Sequence, residues 1–96
     1  TIRIEDRIEE MIQTLIKKQH CLFEEFFPGA KSKLWLIITF MALLEMSRLR
    51  LIKILQVEQH GTIHCTRHEN FDKNIGDWYN LQSGEEEEES AMLKVS

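Results

Sequence analysis

The sequence predicts an α+β domain, mainly helical, and three observations predict it. Apolar residues recur at three- and four-residue steps from Ile4 to Ile16, the mark of an amphipathic helix. From Leu34 to Leu44 only Thr39 is polar, and a run rich in Leu, Met and Ala without Gly or Pro favours helix over strand. Two short stretches rich in branched residues, Ile52–Val57 and Ile63–Arg67, flank a glycine, as the arms of a hairpin do.

In chain order, Ile2 and Ile4 flank Arg3, an alternation that predicts a short strand. A helix over Glu5–Lys18 follows, with Ile4, Ile8, Met11, Ile12, Leu15 and Ile16 on one face. Glu5, Asp6, Glu9 and Glu10 crowd its first half and Lys17 and Lys18 its last turn, both favourable to the helix dipole. His20-Cys21 breaks the pattern. Leu22–Phe27 then reads as a short second helix, stopped by Pro28-Gly29, since proline disfavours helix in the residue before it and glycine permits the turn. Its three phenylalanines are expected in the core. No basic residue interleaves with them, as a base-stacking surface for single strands requires.

Ser32 is placed to cap a third helix by accepting a bond from a free N–H of its first turn. That helix runs to about Leu49 and no glycine closes it. Gln59-His60-Gly61-Thr62 is the expected turn of the hairpin. The order is thus short strand, three helices and two strands, which is a winged helix: three helices with a two- or three-stranded wing sheet. It is expected to occupy residues 1–69. Beyond Glu69 the pattern fades. Residues 70–96 end in the run Glu85–Glu89 and are expected to form a disordered acidic tail, because a run of like charges repels itself. Trp78-Tyr79 is expected to be a stray aromatic pair in it; the alternative is that the pair folds back on the domain or marks a short docking segment.

At about 100° per residue the third helix separates into two stripes. Leu36, Phe40, Leu43 and Met46 form one, joined by Thr39, with Trp35 and Ala42 on its shoulder; it is assigned to the core. Leu34, Ile37, Met41 and Leu44 form the other. Glu45 and Arg48 continue it, so it is assigned to the outside and to a partner. The wing strand, with Ile63, Cys65 and Arg67, is expected alongside.

Composition and motifs narrow the function classes. The net charge of −4 divides into +1 for residues 1–69 and −5 for 70–96. A near-neutral domain lacks the basic patch that phosphate backbones require. The third helix offers no Asn or Gln, and Arg48 and Arg50 only at its far end, whereas reading base edges takes polar side chains. A winged-helix DNA-binding regulator is therefore the alternative reading. Cys21 and Cys65 are the two cysteines and are expected as free thiols. His60, His64, Cys65 and His68 gather around the wing, but His64 and Cys65 are neighbours on a strand and point to opposite faces, so no metal is expected. Neither His20-Cys21 nor Glu24-Glu25 makes a catalytic set, and no phosphate loop or nucleophile elbow is present. An enzyme is not expected and no cofactor is implied. The start of the chain lacks the charged-then-apolar pattern of a signal peptide, and the apolar run is shorter than the ~20 residues a membrane span needs. A cytoplasmic protein with no membrane contact is the expectation.

The stretch Ile37-Ile38-Thr39-Phe40-Met41-Ala42-Leu43-Leu44-Glu45-Met46, followed by Leu51-Ile52-Lys53-Ile54-Leu55-Gln56, resembles the C-terminal domain of the bacterial kleisins, the segregation and condensation protein A (ScpA) family. Phe23-Glu24-Glu25-Phe26-Phe27 and Gly61-Thr62-Ile63 are similar to family counterparts, and the likeness covers about residues 2–67. The sequence departs from the family pattern at Leu51, where a glycine is commoner, and in its acidic tail. The resemblance implies a winged helix that binds the ATPase head of an SMC protein in chromosome condensation and segregation, associated with the nucleoid. It implies that ATP belongs to the SMC head, that ScpB is bound by parts of a longer chain outside these residues, and that DNA is engaged indirectly through the complex.

Overall fold

The computed structural model describes residues 2–27, 29, 32–56, 59 and 61–95, with 85–95 given as helical backbone. Helix α1 spans Ile4–Lys17 and strand β1 His20–Leu22. A 3₁₀ turn covers Phe23–Phe26, and helix α2 spans Lys33–Arg48. Strands β2 (Ile52–Gln56) and β3 (Ile63–Arg67) follow, and helix α3 spans Phe71–Val95. The strands form one antiparallel sheet in the order β1-β3-β2. This is the winged-helix-like α+β fold expected from the element order.

Four elements differ from expectation. Ile4 opens α1 instead of closing a strand over Ile2–Ile4. The third strand of the sheet comes from His20–Leu22, which pairs with β3 through His20–Thr66, Cys21–Cys65 and Leu22–His64. The helix expected over Leu22–Phe27 is a 3₁₀ turn; the backbone N–H of Leu22 donates to the Glu25 carboxylate at its start. Residues 71–95 are not an unstructured tail but α3. Phe71 and Trp78 are buried in the core with Ile75 and Tyr79 against it, so the core does not end at Glu69. Trp78 folds back on the domain, and the Tyr79 hydroxyl donates to Glu9 of α1 at 2.9 Å. Of the expected hairpin turn, His60 lies outside the described residues, as do Val57, the expected end of the first wing strand, and Pro28.

The core is assembled from one face of each element. Helix α1 contributes Ile8, Met11, Ile12 and Leu15, α2 contributes Ala42, Leu43 and Met46, and the sheet contributes Cys21, Ile52 and Cys65. Among the described residues, one charged side chain is buried in it. Arg7, buried on α1, donates from Nε to the Thr39 hydroxyl of α2 at 2.9 Å and from Nη2 to the Phe26 carbonyl at 3.2 Å. Its guanidinium lies 4.4 Å from the centre of the Trp35 ring and also pairs with Glu10. A buried charge is tolerated only when its donors are satisfied, and here they tie α1, the 3₁₀ turn and α2 together.

The candidate partner surface on helix α2

The start and stop of α2 are both built locally. Ser32 accepts from the Trp35 backbone N–H at 3.1 Å, the cap expected from the sequence. At the other end the Leu51 N–H donates to Met46 and the Arg50 N–H to Ser47. That is a Schellman motif, whose left-handed position is usually glycine. Arg50 holds it at φ 59°. Leu51 and Met46, both fully buried, make the apolar contact that accompanies the motif. The departure at Leu51 thus sits beside the residue that carries the unusual backbone. The Asn74 amide of α3 donates to the Arg50 carbonyl at 3.0 Å and pins the turn.

Between these ends α2 divides into two faces. Thr39, Ala42, Leu43 and Met46 are at most 1% exposed and meet α1. The opposite side carries Leu34 (60% exposed), Ile37 (47%), Met41 (46%) and Leu44 (53%). The stripe assigned outward is therefore outward. Leu36 and Phe40, assigned to the core, are instead exposed at 40% and 50%. The buried arc centres on Ala42 and Thr39, the small residues that let α1 approach closely, and Leu36 and Phe40 fall beyond its margin. That pair of small residues is the signal that could have placed the two faces. Together the exposed residues make one apolar surface, larger than the stripe alone.

Relief gives this surface specific shape. On one flank Phe23, Phe27, Leu36, Ile37, Phe40 and Met41 line an almost wholly apolar hollow of about 510 Å³. On the other, α3 approaches, and Met41, Glu45, Arg48, Trp78 and Leu81 share a groove of about 440 Å³ with Ile4 and Ile8 of α1. Leu81 is itself 59% exposed, an apolar position that lay in the expected tail. Glu45 and Arg48 form a two-pronged ion pair on the helix. The Arg48 guanidinium beside Glu45 holds its carboxyl below the usual carboxylate range, and Arg48 is raised in turn.

The wing residues divide. Ile63 and Arg67 are partly exposed. Cys65 is fully buried and has no surface to offer a partner: strand alternation turns it into the core while His64 faces out. Arg67 lies over the Phe71 ring, 5.4 Å from its centre, so part of its side chain is engaged by α3. His20 and His64 meet across the sheet at 2.8 Å, and the His68 Nδ1 accepts from the Asn70 N–H. His60 lies outside the described residues. Among the described residues no three His, Cys, Asp or Glu side chains gather as a metal site would need.

No protein-family model matches this chain. Curated relatives do. Segregation and condensation protein A of Clostridium perfringens is 38% identical over 61 residues, 64% of this chain and 25% of that protein. Its counterpart from Macrococcus caseolyticus is 34% identical over 67 residues, 70% of this chain and 28% of that protein. The chain is an ScpA-like domain. It spans about a quarter of the length of the curated relatives it matches, corresponding to a C-terminal part of them.

Proposed function

We propose that this domain is a non-enzymatic kleisin module that binds the ATPase head of an SMC protein within a chromosome condensation and segregation complex. The observation that carries the reading is the apolar outer face of α2, which runs from Leu34 to Leu44 opposite a complete core-facing arc. Contiguous apolar surface of this kind marks a binding site, and the names of the relatives supply the setting. The contact surface is Leu34, Ile37, Met41 and Leu44, extended by Leu36 and Phe40, with Glu45 and Arg48 at its rim and Ile63 and Arg67 on the wing. In this reading the domain brings the SMC head to the nucleoid complex, DNA and ScpB being engaged elsewhere in the assembly. Among the described residues no helix is long and apolar enough to cross a membrane.

Magnitudes decide how much of the surface is needed. Fully burying a large apolar side chain stabilises by about 1.5–3 kcal/mol. These four residues are already about half covered, so the stripe contributes roughly 3–6 kcal/mol, against an association cost of ~4–15 kcal/mol. The stripe alone reaches only the low end of that cost. Filling the hollow beside Phe23, Phe27 and Phe40 adds the apolar contact that closes the gap. A base-reading role draws no support from this face, whose exposed side chains are Leu, Ile, Phe and Met.

The test is Met41→Glu with Leu44→Arg, circular dichroism to check the fold, and capture of the SMC ATPase head from the organism that encodes this chain. The folded double variant is expected to lose capture at least tenfold. Undiminished capture by a folded variant would overturn the surface. A gel shift at low salt covers the regulator alternative: sequence-specific retention of DNA by the isolated domain would favour it instead.

A further inference from the structure

The only two cysteines of the chain face each other. Cys21 on β1 and Cys65 on β3 are direct register partners. Both are buried, at 2% and 0% exposure, and both are free thiols. Opposed residues on neighbouring strands present their side chains to the same face of the sheet, so the two thiols share the core side. The register also fixes the type of pair. The Arg67 N–H donates to the Gln19 carbonyl at 3.0 Å, two residues along from the cysteines on each strand. Pairs two apart are of the same kind, so Cys21 and Cys65 form a hydrogen-bonded pair, for which the Cα separation is about 5.5 Å. Disulfides form at Cα separations of about 4.4–6.8 Å. The Cα spacing therefore lies in the range of a bond, and the Cβ atoms of such a pair, about 5.5 Å apart, reach the ~3.5–4.5 Å of a disulfide only when the two strands draw together locally.

We propose that Cys21 and Cys65 are a disulfide site, a covalent latch between the strand that follows α1 and the wing. It closes under a two-electron thiol oxidant such as a diazene. The thiolate of one cysteine adds to an azo nitrogen, forming an S–N bond. The thiolate of the other attacks that sulfur, the S–S bond forms as the S–N bond breaks, and the hydrazine product leaves with both protons. A dithiol reductant reverses the closure by exchange.

Burial sets the rate. Only the thiolate attacks, and burial, with the neighbouring Cys21 thiol adding to it, pushes the Cys65 thiol up to about 11; burial raises Cys21 as well. The latch is therefore slow while the sheet is packed and is not modified by bulky reagents that cannot enter the core. Once closed it joins residues 44 apart in sequence, so β1 no longer frays from β3 independently.

The full chain is treated with diamide in native buffer over hours, followed by thiol titration, intact mass and a non-reducing peptide map. The expected product is a folded monomer with both thiols lost, lighter by two hydrogens, with Cys21 joined to Cys65 and both thiols restored by dithiothreitol. Amide exchange in β1 is expected to slow by at least tenfold in that product. Retention of both thiols in native buffer, with loss only in denaturant, would overturn the site, as would a product that is wholly an intermolecular dimer. Cys65→Ala is expected to keep its remaining thiol under the same treatment. Equal loss from that variant would show that the pair is not what reacts.

Discussion

Helices α1 and α2 are of similar length and lie against each other, yet they use apolar residues in opposite ways. Helix α1 hides nearly all that it has: Ile8, Met11, Ile12 and Leu15 are at most 2% exposed, and of its large apolar residues only Ile16 reaches the exposed range. Its other side is acidic and basic, and solvated. Helix α2 buries Ala42, Leu43 and Met46 and then carries six further large apolar residues into solvent. A small domain needs only one buried stripe per helix to close its core. The second set on α2 is thus surplus to folding, and surplus apolar surface is what a partner covers. The two helices also end differently. α1 has no side-chain cap at Arg3 and leaves into extended backbone at Lys18, whereas α2 is capped by Ser32 and stopped by a Schellman turn. The helix that presents the surface is the one whose ends are fixed.

The largest effect is expected where α3 completes the cover of α1. Trp78 is 6% exposed and lies beside Ile4 and Ile8. Trp78→Ala is expected to cost about 3–5 kcal/mol, the range for removing a buried aromatic side chain, read as a fall in the urea midpoint. A loss within ~0.5 kcal/mol, the range for a surface change, would mean that α3 is dispensable and that α1 is as uncovered as α2.

The faces of α2 can be compared directly with two neighbouring leucines. Leu43 is 1% exposed and Leu44 53%. Leu43→Ala is expected to lose about 2–5 kcal/mol of stability, and Leu44→Ala no more than ~0.5 kcal/mol, by denaturant titration of both. On capture of the SMC head the proposed function reverses the order: Leu44→Ala weakens binding while the fold is intact. Similar stability losses for both leucines would erase the distinction between an inner and an outer face.

Much of this contrast is legible in the sequence. Three- and four-residue spacing placed α1, a run rich in Leu, Met and Ala without Gly or Pro placed α2, and the serine before Lys33 placed the cap, because those signals are local. Strand β1 was not legible, since three residues carry too little alternation and its partner lies far along the chain. Helix α3 was partly written in Phe71, Ile75 and Trp78, which are spaced four and three apart, but Gly76, Gly84 and the glutamate run masked the period. On α2, charge at Glu45 and Arg48 marked the outer face correctly. Leu36 and Phe40 were misplaced because an apolar residue does not announce its own neighbour. Cys65 was misplaced for a related reason: alternation separates the two faces of a strand without saying which one the helices cover.

The smallest effect concerns the stop of α2, and it is expected to be a gain. Arg50 is the one non-glycine residue with positive φ among those described, at 59°. For a residue with a Cβ that conformation costs roughly 1–2 kcal/mol. Glycine removes the strain but adds conformational freedom to the unfolded chain, worth about 0.4–1 kcal/mol. Arg50→Gly is therefore expected to stabilise the domain by about 0.5–1 kcal/mol, measured as a rise in the denaturation midpoint at unchanged slope. The Arg50 side chain is exposed, and the Asn74 bond goes to its backbone carbonyl, so the substitution leaves the pin from α3 in place. Destabilisation by the same amount would mean that the turn is not held left-handed in solution. The register between α2 and β2, and with it the angle of the outer face against the wing, would then rest on the Asn74 contact rather than on the Schellman bonds.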